Sequence, residues 1–211
     1  MGEELTAQFI GIMRHRITTD GEGITTLVAF HGCPLKCQYC LNPQCNKKET
    51  PTLERTPFSL LKEVSIDNLY FQATGGGVTF GGGEPLLQSR FIAEFHKLCP
   101  AEWTINIETS LSVGLDHLKE VSSFVHQFYI DIKDINPDIY LKYTGQNNQQ
   151  VLNNLTWICE QNLQDKCVIR LPLIPDYNTQ EDQDKSQNYL QELGFEHFNR
   201  FKYITHINKG T

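Results

Sequence analysis

The sequence predicts an α/β fold, a parallel sheet or a barrel built from about six βα units. Two observations predict it. Short runs rich in β-branched and aromatic residues alternate with amphipathic stretches along the chain. Reactive and polar residues recur where each β-rich run ends. The 211 residues are enough to bury one hydrophobic core, so a single domain over 1–211 is expected.

Strands are expected at 24–30, 77–80, 104–108, 128–132, 168–172 and 202–205, with an earlier one at 8–13 covering one end. Helices are expected near 58–70, 88–98, 115–122, 151–162 and 180–193. The polar stretch Gln146-Asn147-Asn148-Gln149-Gln150 reads as a turn before a helix. Thr179, with Asp182 three residues on, reads as the N-cap of the last helix. In a parallel array, all strand ends of one sense lie on one edge. That edge then carries the loop at 32–40, the glycines at 81–83 with Glu84, Glu108-Thr109-Ser110, Asp131 with Lys133, Arg170 and His206. Barrel enzymes place their sites there, and core packing does not explain so many polar residues on one edge.

Composition excludes several classes. Hydrophobic residues make up 39% and charged residues 20%, which fits a soluble globular protein. A formal net charge of −7 argues against non-specific nucleic-acid binding, which needs a cationic face. The first fifteen residues have no apolar segment followed by a small-residue cleavage site, and no run approaches the roughly 20 apolar residues of a membrane span. A cytoplasmic protein with no membrane partner is expected.

Seven cysteines, an odd number, disfavour a disulfide framework and favour metal or redox chemistry. Cys33, Cys37 and Cys40 are spaced C-x3-C-x2-C. Zinc sites usually take four protein ligands in two pairs, and no fourth partner has suitable spacing. Four thiolates are also usual for a [4Fe–4S] cluster, so three in one tight loop leave one iron free to take a small-molecule ligand. Cys99, Cys159 and Cys167 read as small buried side chains. Cys45 reads as a spare thiol close to the metal.

The cysteine spacing resembles the signature of the radical S-adenosylmethionine (SAM) superfamily. Gly81-Gly82-Gly83-Glu84-Pro85 resembles that family's GGEP motif. The resemblance implies a partial (βα)6 barrel in which SAM chelates the open iron and is cleaved reductively to methionine and a 5′-deoxyadenosyl radical. Absent side chains at Gly82 and Gly83 would let backbone approach SAM, with Glu84 ordering the turn. Tyr39, before the third cysteine, would pack near the adenine.

The chain is further similar to the activating enzymes of glycyl radical enzymes, of the pyruvate formate-lyase activating enzyme type. The segment from Val78 to Gln88 resembles their VTFSGGEPLLQ, and Cys40-Leu41-Asn42-Pro43 their CHNP. Asp131-Ile132-Lys133, with Asn136 and Tyr140, resembles their DLK segment and the helix after it. The resemblance places Tyr39, Leu41, Gly82, Gly83, Glu84, Glu108, Thr109, Asp131, Lys133, Arg170 and His206 around SAM, and implies a monovalent cation near Glu108 and Thr109. Asp20, in Asp20-Gly21-Glu22-Gly23, falls on a loop that helps to bind the protein substrate, and Asp20 and Lys133 are the expected catalytic pair. Glu22 and Thr25 depart from that loop's usual Pro and Arg.

The implied reaction removes a hydrogen atom from a glycine of a partner glycyl radical enzyme, under anaerobic conditions, with a flavodoxin or ferredoxin as electron donor. Family members usually continue beyond the late His, so the resemblance implies that usual C-terminal elements are lacking. Two alternatives stay open. One is a 7-carboxy-7-deazaguanine synthase-like radical SAM enzyme, because Gly21-Glu22-Gly23 resembles its GEG segment. The other is a non-catalytic iron–sulfur regulatory protein.

Anaerobic reconstitution is expected to load about four irons per chain, as one [4Fe–4S] cluster requires. Alanine at Cys33, Cys37 or Cys40 should abolish loading, whereas alanine at Cys45, Cys99, Cys159 or Cys167 should not. Iron analysis of the seven variants checks the assignment.

Overall fold

The computed structural model describes residues 4–203. In chain order the elements are β1 (Ala7–Ile17), β2 (Ile24–Phe30), β3 (Leu53–Arg55), α1 (Pro57–Val64), α2 (Asn68–Thr74), β4 (Gly77–Gly82), α3 (Ser89–Leu98), β5 (Thr104–Thr109), α4 (Leu115–Ser122), β6 (Gln127–Asp131), α5 (Pro137–Thr144), α6 (Gln149–Glu160), β7 (Cys167–Leu173), α7 (Gln180–Glu192) and β8 (His197–Lys202). The strands form one sheet in the order β3-β1-β2-β4-β5-β6-β7-β8. Every pairing from β2 through β8 is parallel, and β1 lies antiparallel to β2 and β3. The order is linear, with β3 and β8 at its two edges, so the result is an open α/β sheet of the partial-barrel kind.

The two faces of this sheet differ in chemistry. Side chains alternate along a strand, and one set is apolar: Val28 and Phe30, Val78 and Phe80, Ile105 and Ile107, Phe128 and Ile130, Ile169 and Leu171. These pack in one core cluster with helix residues such as Phe91, Phe95, Leu118 and Leu155. Phe30 stacks on Phe80 at 5.6 Å, and Phe95 meets Phe80 edge-on at 5.4 Å. Each such side chain contributes roughly 1.5–3 kcal/mol by leaving water. The intervening set is polar: Thr25, Thr79, Asn106, Glu108, Tyr129, Asp131 and Arg170. Parallel strands covered on both faces are usually apolar on both. Here the second face lines a site.

Several elements differ from expectation. The helix expected at 58–70 breaks after Val64 into a short 3-10 turn, Ser65–Asp67, before α2 begins. The break brings Asp67 to a fully buried position where it accepts from Thr26 Oγ1 at 2.7 Å and from Arg14 Nε at 2.8 Å, with His15 Nε2 3.0 Å away. β1 runs four residues past its expected end, through a register irregularity between Met13 and Arg16 where His15 takes φ 57°. It extends the sheet beside β2 instead of covering an end. β8, at His197–Lys202, begins five residues before the strand expected at 202–205, of which 204–205 lie outside the described residues; it is in register with β7 from Val168↔His197 to Leu173↔Lys202. Its pattern is polar because it is an edge strand with most of its residues exposed. β3 was not foreseen.

The Asp67 cluster ties the irregular end of β1 to β2 and the helical layer. Burial alone raises this carboxyl, but the bonds from Arg14 and Thr26 outweigh it and hold its pKa below the usual carboxylate range. A carboxyl lowered in the folded state adds stability that is present above its unfolded pKa of about 3.9 and is lost as pH falls through the folded value. Asp67→Ala should therefore cost about 2 kcal/mol at pH 7. The gap from the parent should shrink as pH falls below about 3.9. Urea unfolding of both chains at pH 7 and pH 3 measures it.

Candidate active site

A cleft of about 400 Å³ lies over the C-terminal ends of the parallel strands. The loop after β2 supplies Cys33, Cys37, Cys40 and Cys45; the end of β4 supplies Gly82 and Gly83. β5 supplies Glu108 and Thr109, β6 and the residues after it supply Asp131 and Lys133, and β7 supplies Arg170. A larger depression of about 750 Å³ opens beside it, lined by Leu173, Pro175, Asn178 and Lys202 among others. It shares Tyr203 with the cleft but holds none of the expected site residues.

The cysteine loop is held by backbone and amide bonds. Gly32 N donates to Cys45 O at 2.7 Å, and Cys33 N donates to Asn46 Oδ1 at 2.8 Å. Asn46 Nδ2 reaches back to Leu35 O at 3.0 Å. Lys36 N and Gln38 N donate to Thr144 O and Tyr143 O at the end of α5. Leu35 anchors the loop by burial. Burial pushes the Cys33 thiol up to about 12 and raises Cys37, whereas a hydrogen bond from Cys45 lowers Cys40.

Among the described residues, no three Cys, His, Asp or Glu side chains converge on a single metal-ion position. A [4Fe–4S] cluster does not require this, because each thiolate binds a different iron. Cys33, Cys37 and Cys40, lining one cleft, fit a cluster that keeps one open iron.

The glycine turn departs from expectation in a useful way. A Cβ on Gly83 would run into the backbone carbonyl of Gly32, and one on Gly82, at φ +89°, would meet Ala29 Cα at 2.8 Å. Gly83 N donates to Phe30 O at 2.9 Å and Glu84 N to Gly32 O at 2.8 Å. These two glycines therefore let the turn pack against the root of the cysteine loop. Close approach of backbone to a ligand is not their only role.

Glu84 lies 1% exposed, behind the cleft wall and outside its lining. Its carboxylate accepts from Thr109 Oγ1 at 2.7 Å, from Ser110 N at 2.9 Å and Oγ at 2.7 Å, and from Leu86 N at 3.2 Å. Burial raises its pKa, and those donors oppose the shift. These bonds let Glu84 order the turn. The Thr109 hydroxyl is engaged with it as well.

The polar floor is a set of paired charges. Lys133 is 9% exposed, with Nζ 3.7 Å from Asp131 Oδ2 and 3.1 Å from the Tyr203 hydroxyl. Burial disfavours its ammonium, but Asp131, Tyr203 and Cys37 outweigh that and hold its pKa well above the usual lysine value. Arg170 Nη1 donates to Glu108 at 2.6 Å and Nη2 to Thr19 O at 3.3 Å, and the guanidinium lies over the Tyr129 ring. Burial still lifts the Glu108 carboxyl above its usual range. Asp20 is 4% exposed, and Arg16 Nε and Nη2 bind its two oxygens at 2.5 and 3.2 Å. Its carbonyl accepts from Thr79 Oγ1 at 2.5 Å. The β1–β2 loop thus packs into the concave polar face of the sheet.

The structure brings thirteen expected residues to one cleft: Cys33, Cys37, Cys40, Asp20, Tyr39, Leu41, Gly82, Gly83, Glu108, Thr109, Asp131, Lys133 and Arg170. Tyr39 donates from its hydroxyl to Asp176, and Leu41 is 80% exposed at the rim. Glu84 is behind the wall, and His206 lies outside the described residues. Sequence reasoning missed Arg16, Tyr143 and Tyr203. Arg16, four residues before Asp20, is the one with a local signal. These polar groups fit the amino, carboxylate and ribose functions that SAM would present.

An open parallel α/β sheet with three thiols and a fixed polar floor at its strand ends defines an iron–sulfur enzyme. The family model of the radical SAM superfamily matches residues 27–184. A curated protein named pyruvate formate-lyase-activating enzyme from Listeria monocytogenes is 35% identical over 190 residues, covering 83% of this chain and 73% of its own length. Its namesake from Staphylococcus aureus is 33% identical over 172 residues, covering 78% and 68%. In the fold, the chain is similar to Streptococcus suis SuiB bound to S-adenosylmethionine, with TM-score 0.62 and 13% identity over 86% of this chain and 43% of that one. The chain belongs to the radical SAM superfamily. It is a radical SAM enzyme, and the family's cofactors are a [4Fe–4S] cluster and SAM.

The contact between Gly83 and Gly32 has a measurable consequence. Gly83→Ala should displace the root of the cysteine loop, so reconstituted iron should fall below about half that of the parent. If the glycine served only SAM approach, iron would stay at the parental level while SAM affinity fell. Iron analysis and SAM binding on the same sample decide it.

Proposed function

We propose that this chain activates a glycyl radical enzyme by removing a hydrogen atom from one of its glycines. The observation that carries the reading is similarity to the Listeria activating enzyme along most of both chains, together with the cysteine cleft. The cleft's openness on the cysteine side supports it. Cys40 is exposed and Leu41 stands 80% exposed beside it, which suits a protein loop as substrate.

Cys33, Cys37 and Cys40 would hold the cluster, and Lys133, Asp131 and the backbone at Gly82 would hold and orient SAM. The bound cluster would pass on the low-potential electron for reductive cleavage of SAM. Lys133 stays protonated at neutral pH and presents a fixed positive charge. Arg170 holds Glu108 and the Thr19 carbonyl together, which orients both without solvent reorganisation. Asp20, fixed by Arg16, borders the space where the glycine loop enters. The resulting glycyl radical is stabilised by its neighbouring amides and outlives the event. A flavodoxin or ferredoxin is the electron donor, and a cytoplasmic setting fits both partners. Among the described residues, no helix is long and apolar enough to cross a membrane.

Asp20→Asn separates SAM chemistry from partner recognition. With a pyruvate formate-lyase as test partner, deoxyadenosine release under a strong reductant should persist. The glycyl EPR doublet should fall about tenfold or more as the glycine leaves abstraction distance. A parental radical yield would remove Asp20 from partner recognition. No radical on any glycyl radical enzyme, despite SAM cleavage by the parent chain, would overturn the activase reading.

A further inference from the structure

Two of the three cations that line the cleft are tied to carboxylates, and the third is not. Arg16 Nε lies 2.5 Å from Asp20 and Arg170 Nη1 lies 2.6 Å from Glu108. Lys133 Nζ stays 3.7 Å from Asp131 Oδ2, beyond hydrogen-bond distance. Among the described residues its hydrogen bond goes to a neutral group, the Tyr203 hydroxyl at 3.1 Å. The Tyr203 ring centroid is 5.8 Å from Nζ, so the ammonium meets the hydroxyl edge and not the face of the ring. Tyr203 is itself anchored. Its N donates to Leu173 O at 3.0 Å, which carries the β7–β8 pairing one residue past Lys202, and its ring meets Phe201 edge-on at 5.5 Å. It lines both the cleft and the larger depression beside it.

We propose that Tyr203 is a positioning residue for Lys133: its neutral hydroxyl holds the ammonium at the cleft without cancelling the charge. The inference rests on the reading that Lys133 holds SAM. A carboxylate in the same place would form a closed ion pair and leave little field for a ligand. A phenol accepts the hydrogen bond and leaves a full positive charge to meet an anionic group.

Lysine needs such a partner because its stem is long and flexible. Without the Tyr203 hydroxyl, the ammonium has two other courses. It can close the remaining gap to Asp131 and be neutralised there, or it can turn toward the depression that Tyr203 borders. Either course takes the charge from a ligand in the cleft. Tyr203 thus acts through Lys133, and its effect falls on ligands that carry a negative group.

The test uses the full chain with its cluster reconstituted and kept oxidised, so that SAM is bound and not cleaved. Equilibrium dialysis measures two probes: SAM, and 5′-methylthioadenosine, which keeps the adenosine but has no carboxylate. Tyr203→Phe keeps the ring and removes the acceptor. It should weaken SAM about tenfold, the scale of one hydrogen bond to a charged group. Methylthioadenosine affinity, iron content and thermal midpoint should stay parental. Lys133→Met should show the same split between the probes. Adding Tyr203→Phe to Lys133→Met should cost SAM less than about twofold more, because the two residues act as one unit. Parental SAM affinity in Tyr203→Phe would overturn the proposal. Equal loss of both probes would overturn it too, by making Tyr203 a packing residue of the wall. A full second loss in the double variant would overturn action through Lys133. Parental SAM affinity in Lys133→Met would instead overturn the reading of Lys133 as a SAM residue, a different result from any of these.

Discussion

Four hydrogen-bond donors converge on the buried carboxylate of Glu84, and the cleft depends on that convergence. They come from Thr109, twice from Ser110, and from Leu86, so one side chain fastens the turn after β4 to the end of β5. The same turn is joined to the cysteine loop through Gly83 N to Phe30 O and Glu84 N to Gly32 O. Glycine turn, β5 end and cysteine loop therefore move as one body. A buried carboxylate missing its donors would cost on the order of 1–3 kcal/mol or more. The arrangement is consequently all or nothing, and the thiols inherit its rigidity.

Electrostatics in the cleft follow the same logic of fixed pairing. The chain carries a net charge of −7, yet the cleft lining balances Arg16, Lys133 and Arg170 against Asp20, Glu108 and Asp131. Ion pairs this buried contribute little to stability, because desolvation offsets their attraction. Their effect is orientation. Arg170 connects Glu108, at the end of β5, to the β1–β2 loop at Thr19, while Arg16 holds Asp20 in that loop. A loop expected at a partner-facing edge is thereby folded into the concave side of the sheet.

Local features were readable before any coordinates. The C-x3-C-x2-C spacing, the glycine turn, the capping box at Thr179 and five of the six parallel strands all depend on residues near one another in the chain. The reading faltered where distant residues decide. A helix pattern over 58–70 was interrupted because Asp67 is claimed by Arg14 and Thr26, more than forty residues earlier in the chain. β8 was misplaced because an edge strand needs no apolar alternation and so leaves a weak signal. Gly83 lines the cleft, but its contact with Gly32 was not foreseen, since backbone packing between two loops has no signature in either one.

The class of chemistry is written in local patterns of residues. Three thiols at this spacing, a triple glycine with an acid, and polar residues at successive strand ends state which groups meet at one edge, because parallel α/β geometry sends all strand ends to the same side. Tertiary structure alone decided the pairings within that edge: Glu84 to β5, Arg170 to Glu108 and Arg16 to Asp20. Which donor satisfies which acceptor depends on the register and curvature of the sheet. Those follow from packing the whole core, and no short segment encodes them.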